Sequence, residues 1–151
     1  PKIQLKPLNI SAIAAKYQNI FEFTDSKALE MAKLTKGYPF AFQVLGYLTW
    51  NVNGDYRSIL SDYEQYLSEF VYDKLWSELS LKDRLVAKAI VDTDSKRIKD
   101  IRDILDMSTN EFNPYRQRLI KKGIVDGGTR GYLYFTLPLF ENYINTHFDI
   151  D

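Results

Sequence analysis

The 151-residue sequence contains no cysteine, and histidine occurs once, at position 147. Without cysteine there is no disulfide framework and no thiolate ligand for a metal ion. A Ser-His-Asp or Cys-His arrangement would have to use His147, and we expect this residue to lie in a frayed, exposed end of the chain. The sequence therefore predicts no catalytic residues and no enzymatic activity for this chain.

Net charge and long apolar runs are also missing. Twenty Lys/Arg balance twenty Asp/Glu, so no overall field draws the molecule to nucleic acid or to a membrane. No apolar run approaches the roughly 20 residues that span a bilayer. The absence of a secretory leader predicts a cytoplasmic protein with no membrane partner. Because the chain begins at Pro1 and not at methionine, we expect a fragment of a longer protein.

A phosphate-binding loop of the form G-x-x-x-x-G-K-[ST] is absent. Gly123 and Gly128 have the spacing of its two glycines, but Thr129-Arg130 replaces the lysine-hydroxyl pair. The surrounding residues also predict a hairpin, whereas a phosphate loop joins a strand to a helix. We therefore expect no phosphate-binding loop within this chain.

A metal site is not expected either. Asp100, Asp103 and Asp106 recur along one face of a predicted helix, which brings three carboxylates together. Lysine and arginine residues alternate with them, so we interpret the group as solvated ion pairs.

The residues that are present indicate a folded, mainly α-helical protein. Hydrophobic residues make up 45% of the chain and aromatic residues 15%, which is enough to bury a core. Residues 1–8 suit a short strand or extended arm. The segment 39–50 is apolar nearly all round, which is typical of a buried central helix. Apolar periodicity and capping residues predict helices over 9–21, 24–36, 39–50, 58–79, 80–91, 98–106, 108–122 and 138–146.

The stretch from Ser108 to Phe135 predicts a helix followed by a two-stranded ribbon. Ser108 and Glu111 have the spacing of a capping box, and Gly123 is a typical helix stop. Strands at Ile124-Val125 and at 132–135 flank a glycine-rich turn. A basic helix followed by such a ribbon is typical of the end of a winged helix-turn-helix.

The charges concentrate in this half of the chain. Residues 80–130 carry twelve Lys/Arg against eight Asp/Glu, a net charge of +4. Such a helix favours DNA binding, because each neutralised phosphate increases affinity. The alternative is that these cations complement the helix dipole and keep the surface soluble. If the helix binds DNA, its cations contact phosphates and two amides contact base edges. The predicted DNA-binding residues are Asn113, Arg116, Gln117, Arg118, Lys121, Lys122 and, at the wing tip, Arg130.

Residues 32–46, AKLTKGYPFAFQVLG, resemble the helical lid of AAA+/STAND-type P-loop ATPases. In that family a T-x-G-x-P segment starts a lid helix, and its glycine and proline face the nucleotide. Residues 5–8, LKPL, are similar to the L-x-P-L link between the ATPase core and the lid. The resemblance implies that Gly37, Tyr38 and Pro39 contact nucleotide. It also implies that the catalytic segments lie upstream of Pro1.

The resemblance implies a mainly α fold with a helical lid bundle over residues 1–79. A winged helix-turn-helix with one small β-hairpin follows over residues 80–151. No cofactor is expected in the fragment itself, whereas ATP and Mg²⁺ are expected for the full-length protein. The lid would close over ATP that is bound to the protein's own upstream ATPase core, which is therefore an expected partner. The winged helix would bind double-stranded DNA or a protein partner.

Two alternatives remain at this point. In the first, the chain is a protein-protein interaction module that binds no DNA. In the second, it is a stand-alone winged-helix transcription regulator, which needs a dimer to read two half-sites.

Overall fold

The computed structural model describes residues 6–148, and the chain forms two compact units, Pro1–Val71 and Tyr72–Asp151. The fold is mainly α-helical with one small antiparallel hairpin, which confirms the predicted fold class. Most of the predicted extended arm at residues 1–8 lies outside the described residues. Within residues 6–148, no helix is both long and apolar enough to cross a bilayer.

The first unit is a bundle of short helices. Helix α1 begins after Asn9, whose side chain accepts a hydrogen bond from the Ala12 amide, and α2 begins after Thr24, which caps it in the same way. These caps match the predicted helix starts, because a capping side chain bonds only to backbone within three residues. The elements are α1 (Ile10–Phe21), α2 (Asp25–Lys33), α3 (Pro39–Trp50), a 3-10 helix (Tyr56–Ile59) and α4 (Leu60–Leu67).

Buried tyrosines hold this unit together. The Tyr17 hydroxyl donates to the Phe42 carbonyl oxygen at 2.7 Å, and the Tyr63 hydroxyl donates to the Leu34 carbonyl oxygen at 2.8 Å. Each ring therefore fills the core while its polar end remains paired. Helix α3, predicted as a buried central helix, is buried only in part. Tyr47 and Trp50 are 61% and 64% exposed, because the neighbouring helices cover only one side of α3.

The long helix predicted over residues 58–79, with a break or bend near its end, is interrupted earlier than expected. A π-helical segment, Ser68–Tyr72, separates α4 from the short helix α5 (Asp73–Ser77). Such a segment shifts which side chains face the core, and Phe70 within it is 65% exposed. The chain passes from one unit to the other within this segment, earlier than the predicted boundary between residues 79 and 80. Tyr72 belongs to the second unit because its hydroxyl donates to the Pro138 carbonyl oxygen at 2.6 Å.

The second unit consists of helices around a small hairpin. Its remaining elements are α6 (Leu81–Asp92), α7 (Ile98–Leu105), α8 (Thr109–Lys121), β1 (Val125–Asp126), β2 (Tyr134–Phe135) and α9 (Phe140–His147). Capping boxes at Ser80/Asp83 and Ser108/Glu111 start α6 and α8, as their spacing predicts. Helix α9 packs on α6, and Phe140 is fully buried.

The hairpin gains a third short piece of strand from the loop before α7. Val125 pairs with Phe135 and Asp126 with Tyr134, both antiparallel. At the start of the return arm, nearer the turn, Tyr132 forms an antiparallel bridge with Arg97. Its hydrogen bonds run from the Ile98 amide to Gly131 and from the Leu133 amide to Lys96. The hairpin is thereby connected to both α8 and the start of α7.

The end of α9 differs from the prediction of a frayed, exposed histidine. His147 is half-buried, and its ring stacks on Tyr143 with a centroid separation of 3.9 Å. Its Nδ1 lies 2.9 Å from the Tyr143 carbonyl oxygen, one helical turn back. The stacking of His147 on Tyr143 could not be predicted from apolar periodicity, because position 147 follows the last regularly spaced apolar residue.

Candidate functional site

Helix α8 carries most of the predicted DNA-binding residues. Phe112 and Leu119 are buried and fix one face of the helix to the unit. Ion pairing adds a second attachment, because the Arg118 guanidinium donates to Asp83 Oδ1 through Nε at 3.1 Å and Nη2 at 3.0 Å. Asp83 is also the capping-box residue of α6. Helix α8 is thus connected to the start of α6 by a buried carboxylate.

The electrostatics of Asp83 reflect this arrangement. Burial by itself raises the pKa of the Asp83 carboxyl group, but hydrogen bonds from Arg118 and Ser80 outweigh burial, and the net pKa lies below its usual range. Asp83 is therefore ionised, and its charge attracts Arg118. The Arg118 guanidinium also lies over the Tyr115 ring at 4.8 Å. Arg118, which was predicted to contact phosphate, thus contacts both Asp83 and Tyr115 within the protein.

Arg116 lies beside the hairpin turn. A methyl group added at Gly127 would lie 2.8 Å from Arg116 Nη2 and 2.9 Å from Ile120 Cδ1. The turn backbone therefore lies close to the Arg116 side chain, and a larger residue at position 127 would have to displace the ends of the Arg116 and Ile120 side chains. Arg116 is half-buried, and so is Lys122. These two cations are less accessible than their sequence positions suggest.

The exposed residues of α8 are mostly neutral. Asn113, Gln117 and Lys121 recur every fourth position and are exposed, and Arg130 is exposed at the hairpin turn. Pro114 occupies the middle of the same helix, where it has no backbone N–H to donate to Asn110. This row of α8 therefore offers two amides and one cation, and Arg118, although paired to Asp83, is also exposed on the helix.

Two tyrosines that the sequence analysis did not single out lie on the return arm of the hairpin. The Tyr132 and Tyr134 rings are nearly parallel, with an interplanar angle of 6° and centroids 5.8 Å apart. Leu133 and Phe135, which alternate with them, are buried. The alternation of aromatic residues was visible in the sequence, but it also fits ordinary strand pairing. Only the bridge to Arg97 reveals what surrounds these rings.

The predicted nucleotide-facing residues form a tight turn before α3. Gly37 has φ of +77°, and a methyl group there would lie 2.5 Å from the Leu8 carbonyl oxygen. The Leu8 amide donates to the Gly37 carbonyl oxygen at 2.7 Å. The turn therefore contacts the end of the LKPL segment directly; Leu5 lies outside the described residues. Backbone geometry by itself therefore requires glycine at position 37.

Tyr38 and Pro39 follow as the cap and first residue of α3. Both are half-buried, and burial raises the pKa of the Tyr38 hydroxyl. The Tyr38 ring meets Phe40 edge-on, with centroids 6.5 Å apart. The turn thus presents an aromatic side chain and a helix N-terminus, and this combination is compatible with a flat, anionic ligand.

An open groove of about 320 Å³ lies at the other end of α3. Ile20, Phe21 and Trp50 provide its apolar wall, and Asn53 and Gly54 close it. A 12-residue helix is about 18 Å long, so this groove is separate from the turn at Gly37.

The ion pairs predicted for Asp100, Asp103 and Asp106 of α7 are not formed among residues 6–148. Asp100 Oδ2 accepts a hydrogen bond from the Ser95 hydroxyl at 2.6 Å, which supports the loop before the helix. Across residues 6–148, the structure contains no group of three or more His, Asp or Glu residues that could hold a metal ion.

Comparison with known proteins gave one result. No curated protein and no solved structure matches the chain. The model of one protein family, described as "Domain of unknown function (DUF8462)", matches residues 69–144, from the π-helical segment into α9. Because this match spans half of the chain, the chain belongs to the DUF8462 family.

Proposed function

We propose that the second unit is a winged helix-turn-helix that binds double-stranded DNA through α8 and the hairpin. The observation that carries this proposal is the pairing of the hairpin. Its arms join each other at Val125–Phe135 and join the start of α7 at Arg97–Tyr132. Three helices followed by a ribbon that returns to the loop between the first two is typical of winged-helix domains.

The exposed side chains on this surface suit two roles, contact with bases and contact with phosphates. Gln117 and Asn113 carry amides, which bind adenine edges in the major groove. Lys121 and Arg130 carry the accessible charges for phosphates. Arg118 and Arg116 have a positioning role, because one joins α8 to Asp83 and the other lies beneath the hairpin turn.

The test is a salt series of binding to a DNA duplex, followed by fluorescence anisotropy. We expect affinity to fall steeply with salt. Lys121→Ala and Arg130→Ala should each reduce the slope of log affinity against log salt by about 1. Gln117→Ala should change preference among duplex sequences with little effect on the slope. Lys74→Ala, an exposed cation on α5, is the matched control and should leave the slope unchanged.

Absence of duplex binding at low salt contradicts this proposal and favours the protein-partner alternative. Binding that Lys74→Ala weakens as much as Lys121→Ala would also contradict it, because the contact would then be diffuse. The stand-alone regulator makes a different prediction: the chain would form a dimer in solution and require two half-sites.

For the first unit, we propose that the turn at Gly37, Tyr38 and Pro39 closes over ATP in a longer protein, with Mg²⁺ and the catalytic residues supplied by an upstream ATPase core. The contact between Gly37 and Leu8 supports this proposal, because it brings the T-x-G-x-P and LKPL segments together. Closure would move the winged helix and so couple hydrolysis to its ligand.

Two observations test the lid proposal. The encoded protein should contain a G-x-x-x-x-G-K-[ST] loop upstream of Pro1, and without it the proposal is wrong. In that longer protein, Tyr38→Ala should weaken ATP binding by on the order of tenfold. Tyr47→Ala, an exposed tyrosine of the same helix, should not. Equal effects of the two variants would indicate general destabilisation of α3.

A further inference from the structure

The outward surface of the hairpin combines two aromatic rings with cations. Arg97 and Tyr132 form a bridge whose hydrogen bonds come from the residues on either side, so their side chains project to the same face of the sheet and lie close together. Tyr134, two residues on, projects to the same face and is 43% exposed. Arg130 is exposed two residues before Tyr132.

The Tyr134 side chain is accessible. The two rings are nearly parallel, with their centroids 5.8 Å apart. Because Tyr134 is 43% exposed, part of its ring can contact another planar group. Asp126, the cross-strand partner of Tyr134, adds a carboxylate to this surface, but its Oδ1 already accepts a hydrogen bond from the Gly128 amide at 2.7 Å.

We propose that Tyr134, Tyr132 and Arg97 bind an unpaired stretch of DNA next to the duplex that α8 contacts. A base stacks on Tyr134, and the arginines at positions 97 and 130 neutralise the adjacent phosphates. This inference rests on the proposed DNA binding of the second unit and names its substrate class: duplex that adjoins single strand.

The dimensions of the surface favour a nucleotide over a protein partner. Leu133 and Phe135 alternate with the two tyrosines and are 0% and 6% exposed, so the strand turns them to the core and leaves Tyr132 and Tyr134 as its outward aromatic residues. A specific protein interface needs about 800 Å² from each partner. A stacked base needs a single ring face. The positive charge of residues 80–130, net +4, is complementary to phosphate.

The test compares a blunt DNA duplex with the same duplex carrying a single-stranded thymidine tail, by fluorescence anisotropy at fixed salt. The wild-type chain should bind the tailed duplex more tightly than the blunt one. Tyr134→Ala should weaken binding of the tailed duplex by on the order of tenfold and change binding of the blunt duplex by less than about twofold. Tyr134→Phe keeps the ring and should behave like wild type. Tyr47→Ala, an exposed tyrosine of the first unit, is the matched control.

The outcomes separate the two proposals. If the blunt duplex binds with the expected salt dependence and the tail adds nothing, the stacking proposal is overturned while duplex binding stands. If Tyr134→Phe loses as much as Tyr134→Ala, or if both duplexes weaken equally, stacking is likewise overturned. If the blunt duplex does not bind but the tailed duplex and the thymidine strand alone both do, in a Tyr134-dependent manner, stacking stands and duplex binding through α8 fails. No binding to any of the three overturns both.

Discussion

The Asp83 side chain connects two helices of the second unit, α6 and α8. It closes the capping box of α6, accepts both hydrogen bonds from Arg118, and is 4% exposed. Buried carboxylates are retained when several donors satisfy them, and here the donors come from two helices. A single residue therefore starts one helix and orients another that carries the proposed DNA contacts.

Replacing Asp83 by asparagine should destabilise the protein by about 1–2 kcal/mol at pH 7, since a cap and an ion pair are weakened together. The pKa of Asp83 lies below its usual range in the folded state. Its charge therefore stabilises the fold above the unfolded pKa of about 3.9, and this contribution is lost as pH falls through the folded pKa. Urea denaturation at neutral and acidic pH should show the difference between variant and wild type shrinking in acid.

The control for this variant is Asp103→Asn, an exposed acid on α7, which should change the free energy of unfolding by less than about 0.5 kcal/mol at any pH. A difference for Asp83→Asn that persists unchanged in acid would mean that the carboxylate charge is not the cause.

At the scale of elements, Lys96 joins two helices of the second unit. Its Nζ donates to the Ile90 carbonyl oxygen at the end of α6 and to Glu141 Oε1 at the start of α9, each at 2.7 Å. Its side chain is only 17% exposed, and its backbone has φ of +60°. A cation suits the C-terminus of α6, where unpaired carbonyl groups accumulate negative partial charge.

We expect Lys96→Met to destabilise the protein by about 1–3 kcal/mol, because it leaves the Ile90 carbonyl oxygen without its charged donor. Glu141→Gln keeps a hydrogen-bond acceptor at a half-exposed position and should cost less than about 1 kcal/mol. Urea denaturation of both variants and of the double variant measures the coupling between them. Equal costs for the two single variants would show that the ion pair, rather than the helix end, is what matters.

At the scale of the whole molecule, the chain consists of two compact units, each with its own buried aromatic core. Tyr17 and Tyr63 anchor the first core, and Tyr72 and Phe140 anchor the second. The family match begins at residue 69, close to the point where the second unit begins. We therefore expect each unit to respond separately to local destabilisation.

Two glycines with positive φ provide a matched pair of variants. Gly37 has φ of +77° in the first unit, and Gly123 has φ of +74° in the second. Alanine at either position should cost at least about 1–2 kcal/mol of backbone strain. Gly37→Ala should cost more, because its methyl group would contact the Leu8 carbonyl oxygen whereas the space around Gly123 is open.

Hydrogen exchange should then reveal the independence of the units. Gly37→Ala should accelerate amide exchange in α1–α4 and leave α6–α9 unchanged, and Gly123→Ala should do the reverse. Equal acceleration in both units by either variant would mean that the chain unfolds as one cooperative body.

The sequence by itself determined the features that depend on neighbouring residues. Helix starts at Asn9, Thr24, Ser80 and Ser108 follow from side chains that bond backbone within three residues, and Gly123 ends α8 because its φ is positive. The mainly α fold with one hairpin follows from periodicity alone. These interactions are short-range, so the residues that make them can be read in order.

Tertiary structure decided which of these residues are available for binding. Arg118 lies on a basic helix, yet it is paired to an aspartate 35 residues away in the chain. Tyr132 lies beside Arg97 for a similar reason, because the hairpin returns to the loop before α7. The accessibility of a charge or a ring depends on partners distant in sequence, and no local pattern specifies them.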